Sequence, residues 1–503
     1  MTAHPCKDEC MFLIALSNQM GKVFAAPSTQ NDPPFPGDWR TRADALLRNP
    51  QLETLAGEQM LENLSLDLRR RWLQRAHLRS DGYMMSPPHQ QTKLLPGDVR
   101  ISYPYDRWVR PEALEKRLNE RRPAPEGWIS EARVFSNGMT AITAFLQMFR
   151  AFAHGMWDIP KGPLSLHMFG GYFEISKALG VLCDGHFHGR KHTQQKNLCA
   201  AVKLGKADLI VIEPVTADID LEVFDMDGFI QAFNQRPKGQ PCIIMFDTSL
   251  SGDLFPMEQF CKRLKDNPPN LIVNIRSGLK LDQNGLELSN LGLMSLWAPD
   301  TELYKKQLKQ VAKSLQVLRI TFGLSLSQDE CAALSAPFVL DKTSLGIHGT
   351  AVFDNNKRLA LALSKAVKPE ASFIAKVIHP SLGPDKDKAW AEAPFVNLRY
   401  RSDTHSDRAL LRAILEAEVF KRGLSFVSGS SFGFRGHRFE MGFVRGVKYD
   451  TLRLSMGSRS GPSLQGVIEL LKDLSAYKDF TALKKAYPDI AASAPQDRTA
   501  EES

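Results

Sequence analysis

No apolar run in the 503-residue chain approaches the ~20 residues that a membrane-spanning helix needs, so no membrane partner is expected. The run nearest the start, Met11 to Leu16, is also too short for the core of a secretory leader, and Lys7-Asp8-Glu9 ahead of it is not a basic leader segment. Cysteine is scarce. The 7 residues, an odd number, lie at positions 6, 10, 183, 199, 242, 261 and 331 with no CxxC pair. That excludes a disulfide framework and a paired zinc site, and makes a reducing cytoplasm the expected compartment. A strong charge of one sign is lacking too. The 64 Lys+Arg exceed the 56 Asp+Glu by only 8, which argues against a nucleic-acid partner and suits a small anionic ligand. What remains, 43% hydrophobic and 24% charged residues, is an ordinary globular composition at a length that suits two or three domains.

Residues 1–95 read as an N-terminal extension that is partly helical. After a loop rich in Pro and Asp, Asn31 to Asp38, the residues Leu46, Leu47, Leu52, Leu55, Leu61, Leu64, Leu68, Trp72 and Leu73 predict amphipathic helix over about 42–78. Its Arg69, Arg70, Arg71 and Arg75 are expected on a solvated face. From 96 to 345 short apolar runs alternate with helix-like segments. The runs are Val134-Phe135, Leu164 to Phe169, Leu209 to Ile212, Cys242 to Phe246 and Leu271 to Ile275, with Thr140 to Ala153 and Met257 to Leu264 among the helices. This alternation predicts a mainly parallel, helix-covered sheet whose ligands bind beyond the carboxyl ends of the strands. Residues 346–485, with helices over Asn356 to Val367 and Asp407 to Arg422 and a strand at Thr451 to Met456, predict a smaller α/β domain. A flexible tail is expected over 486–503.

The residues just beyond the predicted strands are Ser136-Asn137-Gly138-Met139, Phe169-Gly170-Gly171, Asp247-Thr248-Ser249 and Ser277-Gly278-Leu279-Lys280. Each supplies a group that pyridoxal phosphate requires. A lysine must hold its aldehyde, a carboxylate must keep its ring nitrogen protonated, helix-start amides and small hydroxyls must hold the phosphate, and an aromatic ring must cover one face.

On these residues, from about Tyr103 to Leu474, the chain resembles the Cys/Met-metabolism family of pyridoxal-phosphate enzymes, which includes cystathionine γ-synthases and methionine γ-lyase. The resemblance implies the α/β, aspartate-aminotransferase-like fold type I: a large domain with a mainly parallel seven-stranded sheet and a smaller C-terminal α/β domain, here with the N-terminal helical extension. It implies that Lys280 is the Schiff-base lysine and that Asp247 pairs with the ring nitrogen. Phosphate contacts fall on the amides of Gly138 and Met139 and on Ser277, and the stacking ring falls on Phe169. Glu213-Pro214-Val215-Thr216 echoes a cofactor-contacting stretch and points to Thr216. The Arg453-Leu454-Ser455-Met456-Gly457 strand implies that Arg453 clamps the substrate α-carboxylate; separately, Gly429 to Gly433 reads as a serine- and glycine-rich substrate loop, with Ser428 a candidate carboxylate contact. Tyr105-Asp106-Arg107 matches an element that reaches the phosphate of a neighbouring subunit. A homodimer or homotetramer with shared sites is therefore expected, with Tyr105 and Arg107 completing the partner's site. There are departures from the family pattern. Phe169 stands where the family has tyrosine, Leu279 where it has threonine, and Asp266 to Asn270 reads as an insertion before Lys280.

Three other patterns carry less. Gly429-Ser430-Ser431-Phe432-Gly433 spells a nucleophile elbow, but no histidine follows His437 to serve it. Ser277-x-x-Lys280 lacks the companion motifs of a penicillin-binding protein. Cys183, His186, His188 and His192 are the densest group of potential metal ligands, yet the matching family segment is an ordinary strand and loop, so no metal is expected. The implied activity is γ-replacement or γ-elimination on an amino acid bearing a homoserine ester, thioether or sulfonium such as that of S-adenosylmethionine. The extension and Phe169 suit an enzyme of specialised biosynthesis. The alternatives are a β-eliminating C–S lyase or aminotransferase on the same scaffold, or a non-catalytic ligand-binding homologue.

Overall fold

The computed structural model describes residues 4–23, 35–80, 93–95, 99–101, 109–170, 172–182, 185–264, 266–401, 404–442 and 451–493. The extension holds three helices, α1 (Pro5–Val23), α2 (Trp39–Leu47) and α3 (Leu55–Ser80). The single helical stretch expected over 42–78 is thus two helices, because Asn49-Pro50 stops the first: a residue before proline is pushed out of the helical region. Helix α1 was not expected. Its Cys6, Cys10, Leu13 and Met20 recur at helical spacing and are fully buried against Trp39, Leu61, Trp72 and Leu326.

The arginine face of α3 is only in part the solvated face foreseen: Arg70 is exposed, but the other three turn to the protein. Arg69 donates to the carbonyls of Leu286 and Glu287 at 2.8 and 2.7 Å, Arg71 donates to that of Pro36 at 3.0 Å, and Arg75 is buried. Trp72 Nε1 beside them donates to the Ala333 carbonyl at 2.7 Å. This side of α3 is pressed on the body of the protein, so long guanidinium side chains find carbonyls there.

A short antiparallel ribbon, β1 (Lys93–Leu95) and β2 (Val99–Ile101), and helix α4 (Glu112–Arg121) precede the main sheet. That sheet comprises β3 (Trp128–Phe135), β4 (Leu164–Phe169), β5 (Phe187–His192), β6 (Leu209–Ile212), β7 (Ile243–Asp247), β8 (Leu271–Ser277) and β9 (Gly292–Pro299) in the order β3-β9-β8-β7-β6-β4-β5. Only β9 runs antiparallel to its neighbours. Met168, Val211, Met245 and Val273 point to the side of helix α5 (Gly138–Met156), while Phe169, Ile212, Phe246 and Ile272 point to the other, where Phe224, Phe229 and Phe233 cover them. Strand β9 was not foreseen because Ser295 interrupts its apolar run and Gly292 and Pro299 at its ends read as turn residues.

A second sheet, β10 (Ile374–Ile378), β11 (Val396–Tyr400), β12 (Phe426–Ser428), β13 (His437–Gly442) and β14 (Thr451–Ser455), has the order β10-β11-β14-β13-β12. The helix Lys342–Ala366 runs through the 345/346 division expected between domains. The expected tail is helical over Pro488–Ser493, with Ile490 and Ala491 packed on the second core. No described helix is long and apolar enough to cross a membrane.

Glu9 of α1 joins the extension to the second sheet through Arg435 and Arg459. Burial alone would raise its carboxyl, but the two arginines outweigh that and hold it at about 2, below the ordinary 4.5. A depressed carboxylate contributes stability that is fully present above the unfolded value and lost as pH falls through the folded one. The melting-temperature gap between the wild type and Glu9→Gln should therefore be widest above pH 4.5 and close as pH is lowered towards 2.

Candidate active site

The site begins where β3 hands over to α5. Asn137 caps the helix: its side chain accepts from Thr140 N at 2.9 Å, and Thr140 Oγ1 accepts from Asn137 N at 3.0 Å. The Gly138 and Met139 amides are first-turn donors with no acceptor inside the helix, at its positive end. Ser277, the last residue of β8, lies against them, since a Cβ on Gly138 would stand 3.3 Å from the Ser277 Cα. Its own amide donates to Ser249 Oγ at 2.9 Å. The cradle leaves no slack on its far side: a Cβ on Gly292 would fall 2.0 Å from the Asn137 carbonyl oxygen. Gly292→Ala is accordingly expected to cost ~3 kcal/mol and to lower the melting temperature.

Asp247 ends β7 on the α5 side of the sheet, half-buried, and accepts from Ser249 N at 2.9 Å. Lys280 stands beyond it. Its Nζ lies 4.2 Å from the centroid of Phe432 and 6.0 Å from that of Tyr172. Burial pulls the amine below its ordinary 10.5; Asp247 opposes that shift, Arg453 adds to it, and Glu213 and Glu174 oppose it. Tyr172 is held protonated. Burial pushes its hydroxyl up to about 12, with Glu174 adding to the shift.

Arg453 comes from β14. Its guanidinium lies 4.5 Å over the Phe395 ring, and Nη1 is 3.4 Å from Glu440 Oε2. Its Nε is buried and has no hydrogen-bond partner among the described residues. Phe395 and Phe432, ring centroids 5.4 Å apart, form a continuous aromatic wall from Arg453 to Lys280. Lys280, Asp247 and Arg453 act electrostatically on one another or on a shared neighbour, and Ser277 meets Gly138, so this part of the predicted set converges.

Three residues fall elsewhere. Phe169 pairs in register with Ile212, shares its face, and is buried 6.0 Å from Phe224 on the side of the sheet opposite Asp247. The ring of this segment that does face Lys280 is Tyr172, three residues on and past the double glycine. Thr216 is fully buried, and its hydroxyl donates to Asp218 and accepts from Glu222 N, closing a local turn. The cofactor-contacting role expected of Thr216 has no free group to carry it. Ser428 is exposed at the end of the edge strand β12, two strands from β14. The segment after it reaches the site instead, through Phe432 and through Gly433, where a Cβ would lie 3.0 Å from the Lys280 carbonyl carbon. Tyr105 and Arg107 lie outside the described residues.

Tyr172, Phe432, Phe395, Glu213 and Glu174 were not singled out from sequence as site residues. Tyr172 and Phe432 had a signal, each being an aromatic beside glycines in a segment already suspected. Glu213 is buried and accepts from Ala217 N at 2.9 Å, and a Cβ on Gly170 would come 2.7 Å from its Oε2. Gly170, at φ +73, is what admits that carboxylate. Of the histidine group, His192 Nε2 meets His167 Nδ1 at 2.9 Å, and Cys183 lies outside the described residues. No group of three or more metal-ligating His, Cys, Asp or Glu occurs among the described residues.

Neither a protein-family model nor a curated protein sequence matches the chain. Solved structures do. Apo CalE6, a methionine γ-lyase from Micromonospora echinospora, superposes with a TM-score of 0.52 at 19% identity, over 74% of this chain and 87% of that one. Cystathionine γ-lyase from yeast gives 0.52 at 16% identity over 82% and 98%. A putative O-acetylhomoserine (thiol)-lyase from Campylobacter jejuni, carrying N′-pyridoxyl-lysine-5′-monophosphate, gives 0.52 at 14% identity over 80% and 98%. The chain therefore has the fold of the Cys/Met-metabolism enzymes of fold type I.

Proposed function

We propose that this chain is a pyridoxal-phosphate enzyme that eliminates or replaces the γ-substituent of an amino acid. The observation that carries the proposal is Lys280, held with a lowered pKa between Phe432 and Tyr172 and within the field of both Asp247 and Arg453. Strongly perturbed lysines with specific charge partners mark functional sites.

The residues fit that cofactor. The Gly138 and Met139 amides beside Ser277 suit a phosphate, Asp247 suits the ring nitrogen, Lys280 suits the aldehyde, and Tyr172 takes the ring-covering place first assigned to Phe169. When bound, the cofactor supplies the electron sink that lets protons leave Cα and Cβ. The chain's own groups do the rest. Arg453 offers its unpartnered Nε and a planar fork to the α-carboxylate. Lys280 would hold the cofactor aldehyde and, when free, would move protons at Cα and Cβ; its lowered pKa keeps more of it in the base form at neutral pH. Phe395 and Phe432 keep water from the reacting carbons.

The leaving group we favour is a homoserine ester, a thioether or a sulfonium, in specialised biosynthesis, and the cysteines among the described residues, all free, suit a cytoplasmic setting. We also propose that Tyr105 and Arg107 complete a neighbouring subunit's phosphate site, so that the active species is a homodimer or homotetramer. In deuterated water, an amino-acid substrate with a γ-leaving group, re-isolated after partial reaction, should carry label at Cβ as well as Cα. Label at Cα alone would overturn the γ-reaction in favour of β-elimination or transamination, and an active monomer would overturn the shared site.

A further inference from the structure

We propose that Glu9, in the first helix of the extension, is a positioning residue for the aromatic wall of the Lys280 site. The inference rests on the functional reading above only in taking Lys280 as the reacting amine. Glu9 Oε1 accepts from Arg435 Nη2 at 2.7 Å and Nε at 3.2 Å, and its Oε2 accepts from Arg459 Nε at 3.1 Å. All three side chains are buried. Arg435 lies three residues after Phe432, whose ring covers Lys280 Nζ.

The segment from Phe432 to Arg435 is thus a short strap with one end on the reacting amine and the other on Glu9. Its path is fixed between those ends. Gly433, at φ +79, packs on the Lys280 backbone, and its carbonyl meets His348 Nε2 at 2.9 Å. On the inner side a Cβ on Gly285 would come 2.6 Å from Arg435 N, so the strap has no room to move inward. On the outer side the Phe434 and Arg435 carbonyls accept from Ser458 N and Arg459 N at 3.0 and 3.2 Å, tying the strap to the segment that follows β14.

The charges explain why Glu9 governs the strap. Arg459 has a second carboxylate, Glu62, 3.4 Å from its Nη1. Arg435 has Glu9 as its one carboxylate among the described residues, together with the Asn284 carbonyl at 3.5 Å and the Phe12 ring at 5.6 Å. Without Glu9, a buried guanidinium is left unpaired and moves towards water, carrying Phe432 off Lys280. A carboxylate in the extension thereby sets how dry the amine is. The groups facing that amine directly, Asp247, Arg453, Glu213 and Glu174, stay unchanged.

The test needs no turnover. In the full-length protein freed of cofactor, lysines are acylated competitively across a pH series and the Lys280 peptide is read by mass spectrometry. The midpoint for Lys280 should lie below that of exposed lysines, and Glu9→Gln should raise it by about half a pH unit or more. In a Phe432→Leu background, Glu9→Gln should add nothing, because the two act through one ring. Glu9→Asp, which keeps the charge, should restore the wild-type midpoint in part. A Glu9→Gln protein that melts lower but keeps its Lys280 midpoint overturns the proposal, as does an equal shift in the Phe432→Leu background. Should Glu9→Gln fail to fold, Arg435→Lys serves instead: a raised midpoint supports the proposal and an unmoved one overturns it. Protein that binds no cofactor yet shows the Glu9 shift sinks the enzymatic reading and leaves the strap standing, whereas cofactor bound through Lys280 with no shift does the reverse.

Discussion

Lys280→Ala should lower kcat by about 10⁴-fold or more, since it removes both the group that holds the cofactor aldehyde and the base that moves protons at Cα and Cβ. Its visible signature is loss of the absorption band that the wild type forms with pyridoxal phosphate. The fold should not suffer. The amine of this half-buried lysine sits in an aromatic setting that disfavours its charge, so its removal relieves a desolvation cost, and the melting temperature should hold or rise. That combination, activity lost and stability kept, separates a functional lysine from a structural one. A Lys280→Ala protein that retains both its band and its turnover would end the assignment of Lys280 as the reacting amine.

Asp282→Ala should show the opposite pattern. Asp282 is fully buried two residues after Lys280, and its Oδ1 accepts from Arg121 at 2.6 Å and Arg276 at 3.0 Å. Asp253, which is 45% exposed, binds the same two arginines and Arg122. Truncating Asp282 leaves three buried guanidiniums to that one outer carboxylate, at a cost of about 3–5 kcal/mol. Thermal unfolding should register the loss, and cofactor occupancy should fall with it, because the turn that aims Lys280 is anchored there. Asp282→Asn keeps an acceptor and should lose less. Equal melting temperatures for Asp282→Ala and the wild type would refute this account of the turn.

The parts of the site legible in sequence are those where chemistry sits at the end of a strand and faces the right way. Asp247 and Ser277 close apolar runs, and the Asn137 cap announces the start of α5. Phe169 also closes a run, but a strand's last side chain faces whichever side its parity dictates, and the register with Ile212 turns this ring away from Asp247. Motif matching carries no parity, so it stopped three residues short of Tyr172. Thr216 failed for a different reason: its hydroxyl has an equally good local use in its own turn. The arginine face of α3 looked solvated because charge marks the polar side of a helix, whatever that side meets. Nothing local in the sequence announces the partners of Glu9.

Those partners are 426 and 450 residues away along the chain. At roughly 5–20 residues per second of synthesis, α1 waits on the order of 20–90 s for Arg435 and Arg459 to exist. Meanwhile Cys6, Cys10, Leu13 and Met20 lack the late-arriving part of their cover, since Leu326 and Cys331 come more than 300 residues after them. Helix α1 is thus made well before the residues that seat it. A nascent chain stalled before Arg435 should keep α1 open to protease, and synthesis past Arg459 should close it.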